Sequence, residues 1–135
     1  MIDNLIQRLQ VFTDRLDQGS KCTYNILKSI QHGDWDAVEF DTINRARILN
    51  IIATDQAYIE KVINNLIDEE VTPSNINLIK SWAFDTQAWI DKTAYLDDKI
   101  IDALNNSKDE ITKDLAGLFK SKQAFRGYNL NDVTR

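Results

Sequence analysis

One histidine, His32, and one cysteine, Cys22, bound the chemistry open to these 135 residues. A Ser-His-Asp triad would have to be built on His32. Its neighbours Gly33 and Asp34 mark a turn, where a histidine serves as a polar helix-end residue. A lone cysteine allows neither an intrachain disulfide nor a multi-cysteine zinc site, and Cys22 reads as a small core or helix-surface residue. Asp68-Glu69-Glu70 and Asp97-Asp98 carry charge enough for a cation, but acidic runs of this kind more often face solvent. Arg8, Lys28 and Arg45 have the charge to line a buried anion site of the sort small helical mutases use. The four glycines, at 19, 33, 117 and 127, match no phosphate-cradling loop. The Glu-x-x-His pairs of di-iron bundles do not occur. These residues point away from an enzyme, and no metal or other cofactor is expected.

Residues suited to protein recognition gather in the last third of the chain. Leu104, Ile111, Leu115, Leu118 and Phe119 recur at helical spacing, and Phe125, Tyr128 and Leu130 follow among Lys120, Lys122 and Arg126. An apolar stripe of this kind offers a surface to an amphipathic segment of another chain. The net charge is −5 and the pI about 4.8, which disfavours nucleic acid as a partner. From Phe119 to Arg135 four basic residues stand against one acid, a local charge of +3 that leaves −8 on the remainder. A basic end on an acidic body suits an acidic protein partner, or is simply a solvated end.

Long helices must position these residues. Hydrophobic residues make up 43% and charged residues 27%, while four glycines and one proline leave little material for the turns of a many-stranded fold. Ile2, Leu5, Leu9, Phe12, Leu16, Gly19, Thr23, Ile26 and Ile30 keep steps of three and four, predicting a helix over 4–31. Gly19 in its middle permits either a close helix approach or a break. Gly33 can end that helix and Asp34 can cap the next.

A second seam follows at Trp35, Val38, Thr42, Arg45, Leu49, Ile52, Gln56, Ile59, Ile63 and Leu66, with Ala46, Ala53 and Ala57 widening its face. Three acids at 68–70 are poor company for the negative end of a helix dipole, so this helix is expected to stop near Ile67. Thr72-Pro73 opens a third helix carrying Ile79, Trp82, Thr86, Trp89, Thr93, Leu96, Ile100 and Ala103. Unbroken to about Lys122, it would span roughly 75 Å and outrun its neighbours. Ser107 with Glu110 has capping-box spacing, which supports a break and a short fourth helix instead.

The expected architecture is an all-α, antiparallel up-down-up bundle of three long helices, with or without that fourth one. Its bundle domain covers 1–120, and 121–135 form a tail. The start, Met1-Ile2-Asp3-Asn4, lacks the basic and apolar regions of a signal peptide, and no apolar run reaches the roughly 20 residues of a membrane span. A cytosolic chain without membrane insertion is expected.

Gly33-Asp34-Trp35-Asp36 between two long helices, followed by an acidic helix, a second turn and a longer third helix, resembles the FliT-type flagellar export chaperones. The ending Lys120-Ser121-Lys122-Gln123-Ala124-Phe125-Arg126-Gly127-Tyr128 is similar to that family's basic run leading to a tyrosine. FlgN-type export chaperones share much of the architecture. The resemblance implies a non-enzymatic cytosolic chaperone that holds a flagellar substrate, the filament-cap protein, unassembled and brings it to the export apparatus. It further implies contact with the export ATPase complex and, through the residue matching Tyr128, with the export gate. The alternative from the residues alone is a self-associating helical adaptor, a homodimer formed along the overlong third helix.

Overall fold

The computed structural model describes residues 2–106 and Gly117. Three long helices account for almost all of them: α1 (Ile2–Gln31), α2 (Trp35–Asn64) and α3 (Pro73–Asn105), with a 3-10 turn at Asp68–Glu70 between the last two. Contacts give the direction of each helix. Arg15 meets Asp55 and Cys22 meets Asp41, so residue numbers fall along α2 as they rise along α1. Phe12 meets Trp82 and Leu16 meets Trp89, so α3 runs parallel to α1. The result is the all-α up-down-up bundle, with no strand among the described residues.

Local chemistry sets the boundaries. Gly33 takes the left-handed conformation at φ +70°, and the Asp34 carboxylate accepts a hydrogen bond from the Ala37 N–H at 3.2 Å. Thr72 Oγ1 accepts from the Asn75 N–H at 3.2 Å, with Pro73 opening the first turn of α3. α2 stops at Asn64, three residues before the expected end. Leu66 turns inward there, and the acids at 68–70 form the 3-10 turn, where the Glu70 carboxylate accepts from the Ile67 N–H. Acids at the start of a short helix suit its dipole, whereas at the end of α2 they would not.

α1 and α2 have 30 residues each and α3 has 33, so the three are close to 45–50 Å long at 1.5 Å per residue. Asn106 closes α3 by donating its N–H to the Asp102 carbonyl at 3.1 Å. The expected run to Lys122, the short fourth helix and the division at 120/121 lie outside the described residues.

Two apolar clusters fill the core. The larger joins Leu5, Leu9, Phe12 and Leu16 to the lower parts of α2 and α3, including Ile52, Ile59, Trp82 and Trp89. The smaller joins Ile26 and Val38 to Ile100, Ile101 and Leu104 at the end that holds the α1–α2 turn. The seams match these positions with three departures. Trp35 is 38% exposed, and Ala53 and Ala57 face solvent, because the core side of α2 is narrower than the alanines suggest.

Gly19 resolves in favour of close approach. α1 passes through it unbroken, and the Trp89 indole packs against it; an added Cβ would stand 3.3 Å from Trp89 Cζ2. The indole N–H donates to the Leu16 carbonyl at 2.8 Å and to Ser20 Oγ at 3.0 Å, one turn either side. A leucine at 19 would occupy the volume the indole now fills. Gly19→Leu should therefore lower stability by about 1–3 kcal/mol, read from urea melts, with helical content unchanged.

Candidate functional site

Leu104, expected to open a partner-binding stripe, is instead a core residue with 0% of its surface exposed. The last turn of α3 lies level with the α1–α2 turn, so Ile26 and Val38 complete a cluster around it. The other residues of the expected stripe and tail, Ile111, Leu115, Leu118, Phe119, Phe125, Tyr128 and Leu130, lie outside the described residues.

Nor do Arg8, Lys28 and Arg45 converge on an anion. Arg8 lies over the Tyr58 ring at 4.2 Å near the far end of the bundle, and Lys28 is exposed near the α1–α2 turn. Arg45 is buried, and its Nη2 donates to Asp97 Oδ2 at 2.7 Å. Their side chains retain only 5% and 4% of their accessible surface. Asp97 was expected in a solvated acidic pair; Asp98 is solvated, but Asp97 turns inward because α2 carries a cation on its core seam. The pair sits between the two apolar clusters, at the level of Thr23 and Thr93. Burial raises the Asp97 pKa above the ordinary carboxylate value, while the attraction and hydrogen bond of Arg45 pull it back. The other oxygen, Oδ1, has no hydrogen-bond partner among the described residues.

Cys22 neighbours this layer. Its thiol donates weakly to the Asp41 carbonyl at 3.5 Å, and burial, with Asp41 beside it, raises its pKa. A thiol so placed is a poor nucleophile. Among the described residues no three His, Cys, Asp or Glu side chains are grouped to hold a metal ion.

The outer faces are more differentiated than the interior. One groove of about 380 Å³ runs between α1 and α2 beside Arg8, Val11, Arg15 and Tyr58. A second, of about 460 Å³, runs between α1 and α3 beside Ile6, Gln10, Asp14, Leu78, Trp82 and Asp85. Phe40, Ile43 and Ile51 stand exposed on α2, and Phe84 on α3 is 73% exposed. Open grooves and isolated apolar side chains of this kind can bind protein segments.

Comparison with protein-family models, with curated proteins and with solved structures finds no match to this chain. No described helix is long and apolar enough to cross a membrane.

The Arg45–Asp97 pair makes a direct prediction. Removing one partner strands a charge in the core, so Arg45→Met or Asp97→Leu alone should cost about 3–5 kcal/mol. The double variant should be near neutral or more stable than wild type, as seen in equilibrium unfolding. The pH dependence has a definite sign. Asp97 holds its proton to higher pH in the native state than in the unfolded chain. Its share of stability is thus largest below the unfolded pKa of about 3.9 and falls as pH rises through the raised native value. Wild-type minus double-variant stability should decline over that window and then level off.

Proposed function

We propose that this protein is a FliT-type flagellar export chaperone, binding the filament-cap protein in the cytosol and delivering it to the export apparatus. What carries the reading is the motif Gly33-Asp34-Trp35-Asp36 at the junction of two 30-residue helices, followed by a third helix and a basic run that ends in a tyrosine. One structural feature supports it: the helices are amphipathic and close on a common core. Leu104 belongs to that core, so the client stripe starts after it, at Ile111, Leu115, Leu118 and Phe119. Phe125, Tyr128 and Leu130 are further partner-binding residues of this reading, Tyr128 serving the export gate.

Burial of each large apolar side chain against a client helix is worth about 1.5–3 kcal/mol before association costs. Three or four anchors then suffice for micromolar binding. The test is a titration of the purified chain with a purified flagellar cap protein from the same source. Leu115→Ala and Phe119→Ala should each weaken binding by roughly tenfold or more. Tyr128→Ala should leave cap-protein binding intact and remove binding to export-gate components. A cap protein that fails to bind, together with a mass that doubles with concentration, would replace the chaperone by the self-associating adaptor.

A further inference from the structure

The groove between α1 and α3 changes character along its length. Near the end of the bundle where both helices begin, half-buried Ile6 and Leu78 form its sides. Leu9 and Trp82, each 5% exposed, form its floor. Asp14 and Asp85 line the other end, and both are exposed. The two helices are parallel, and their cross-contacts join residues about 70 apart: Phe12 with Trp82, Ser20 with Trp89. Asp14 and Asp85 are 71 positions apart, so the two carboxylates stand level, one on each helix.

No cation answers those acids. Among the described residues neither forms an ion pair, and no lysine or arginine lines the groove. Arg8 and Arg15 turn to the other side of α1, toward Tyr58 and Asp55 of α2. Lys80 is five residues from Asp85, about 140° round α3. Exposed Asp17 continues the α1 stripe of Ile6, Gln10 and Thr13 by one more turn and adds a third acid. Lys21 and Lys92 come two turns beyond Asp14 and Asp85, where Lys92 rests on the Tyr24 ring. They close the acidic section at that level.

We infer that this groove is a docking site for a basic amphipathic helix of a partner protein. Ile6 and Asp14 are eight residues apart, and Leu78 and Asp85 seven, about 10–12 Å along the axis. A leucine and a lysine seven residues apart on a partner helix share one face and have that same separation. The leucine enters the apolar end over Leu9 and Trp82. The ammonium then comes between two carboxylates that have no other counter-charge. A segment basic along its whole length would run into Lys21 and Lys92, so the site selects a helix whose apolar and basic halves follow one another. An anionic membrane or a nucleic acid is repelled by the acids. This chain's own basic residues at 120–126 follow α3 from its far end, Asn105 lying twenty residues, about 30 Å, beyond Asp85. The groove is separate from the client stripe and does not depend on the chaperone reading.

The test uses the full chain and a dye-labelled 18-residue helical peptide with leucines on one half of one face and lysines on the other half of that face, read by fluorescence anisotropy at low salt. Binding should weaken about tenfold in Asp14→Asn/Asp85→Asn, two isosteric changes at exposed positions. It should be unchanged in Glu39→Gln/Asp102→Asn, which removes the same charge elsewhere on the surface. A peptide with serines in place of the leucines should bind about tenfold more weakly. No binding, equal losses in both variants, or equal affinity for the serine peptide overturns the proposal. A carbodiimide cross-link from Asp14 or Asp85 to Lys120 or Lys122 within the free monomer would assign the groove to this chain's own segment, and also overturns it.

Discussion

Arg45 sits on the core seam of α2, between Val38 and Leu49, as the one charged side chain among the buried residues of that helix. A guanidinium at that depth without compensation costs several kcal/mol, so the third helix has to deliver a carboxylate to the same level. Asp97 does so at 2.7 Å. A slide of α3 by one turn would place Thr93 or Ile101 there instead, and neither can neutralise Arg45. The pair thus fixes the register of α3 on α2, which the apolar contacts alone would hold less firmly. With that register set, Trp89 reaches Gly19, and Ile100 and Leu104 reach Ile26 and Val38.

The same layer divides the core unequally. Below it lie both buried tryptophans and Phe12; above it lie only aliphatic side chains. At the division Thr23 satisfies its hydroxyl within its own helix, on the Gly19 carbonyl at 2.8 Å, and adds no cross-helix bond. The upper cluster is therefore the smaller cooperative unit, and local opening is cheapest where fewest apolar contacts must be broken. That is also the end from which the chain leaves α3 toward residues 107–135.

Periodicity made the helices legible, and capping chemistry made most of their ends legible. Gly33, Asp34 and Thr72-Pro73 act through bonds within four residues, which a sequence displays directly. The end of α2 was harder, because it depends on Leu66 finding the core, a tertiary event. Asp97 was misread for a related reason. Next to Asp98 it looks like part of a solvated run, although it adjoins Leu96 on the seam. The signal was on the other helix: a cation on the core face of α2 requires an acid beside the core face of α3. Trp35 shows the opposite error, since a tryptophan on a seam reads as core even where the seam has reached the end of its neighbours. Leu104 was assigned to a partner because its stripe continues past it in the sequence, whereas Ile26 and Val38 reach it within the core.

The two grooves beside α1 differ in how much of their own charge they satisfy. Between α1 and α2, Arg15 pairs with Asp55 at 2.8 Å and Arg8 covers Tyr58. Those groups hold two closely packed helices together, and a ligand would first have to displace them. α3 approaches α1 less intimately, and the lysines on that side lean on tyrosines rather than on carboxylates. A cation–π contact at an exposed site is worth only about 0.5–1 kcal/mol and leaves the ammonium's charge in place. The α1–α2 side is spent on holding the bundle together.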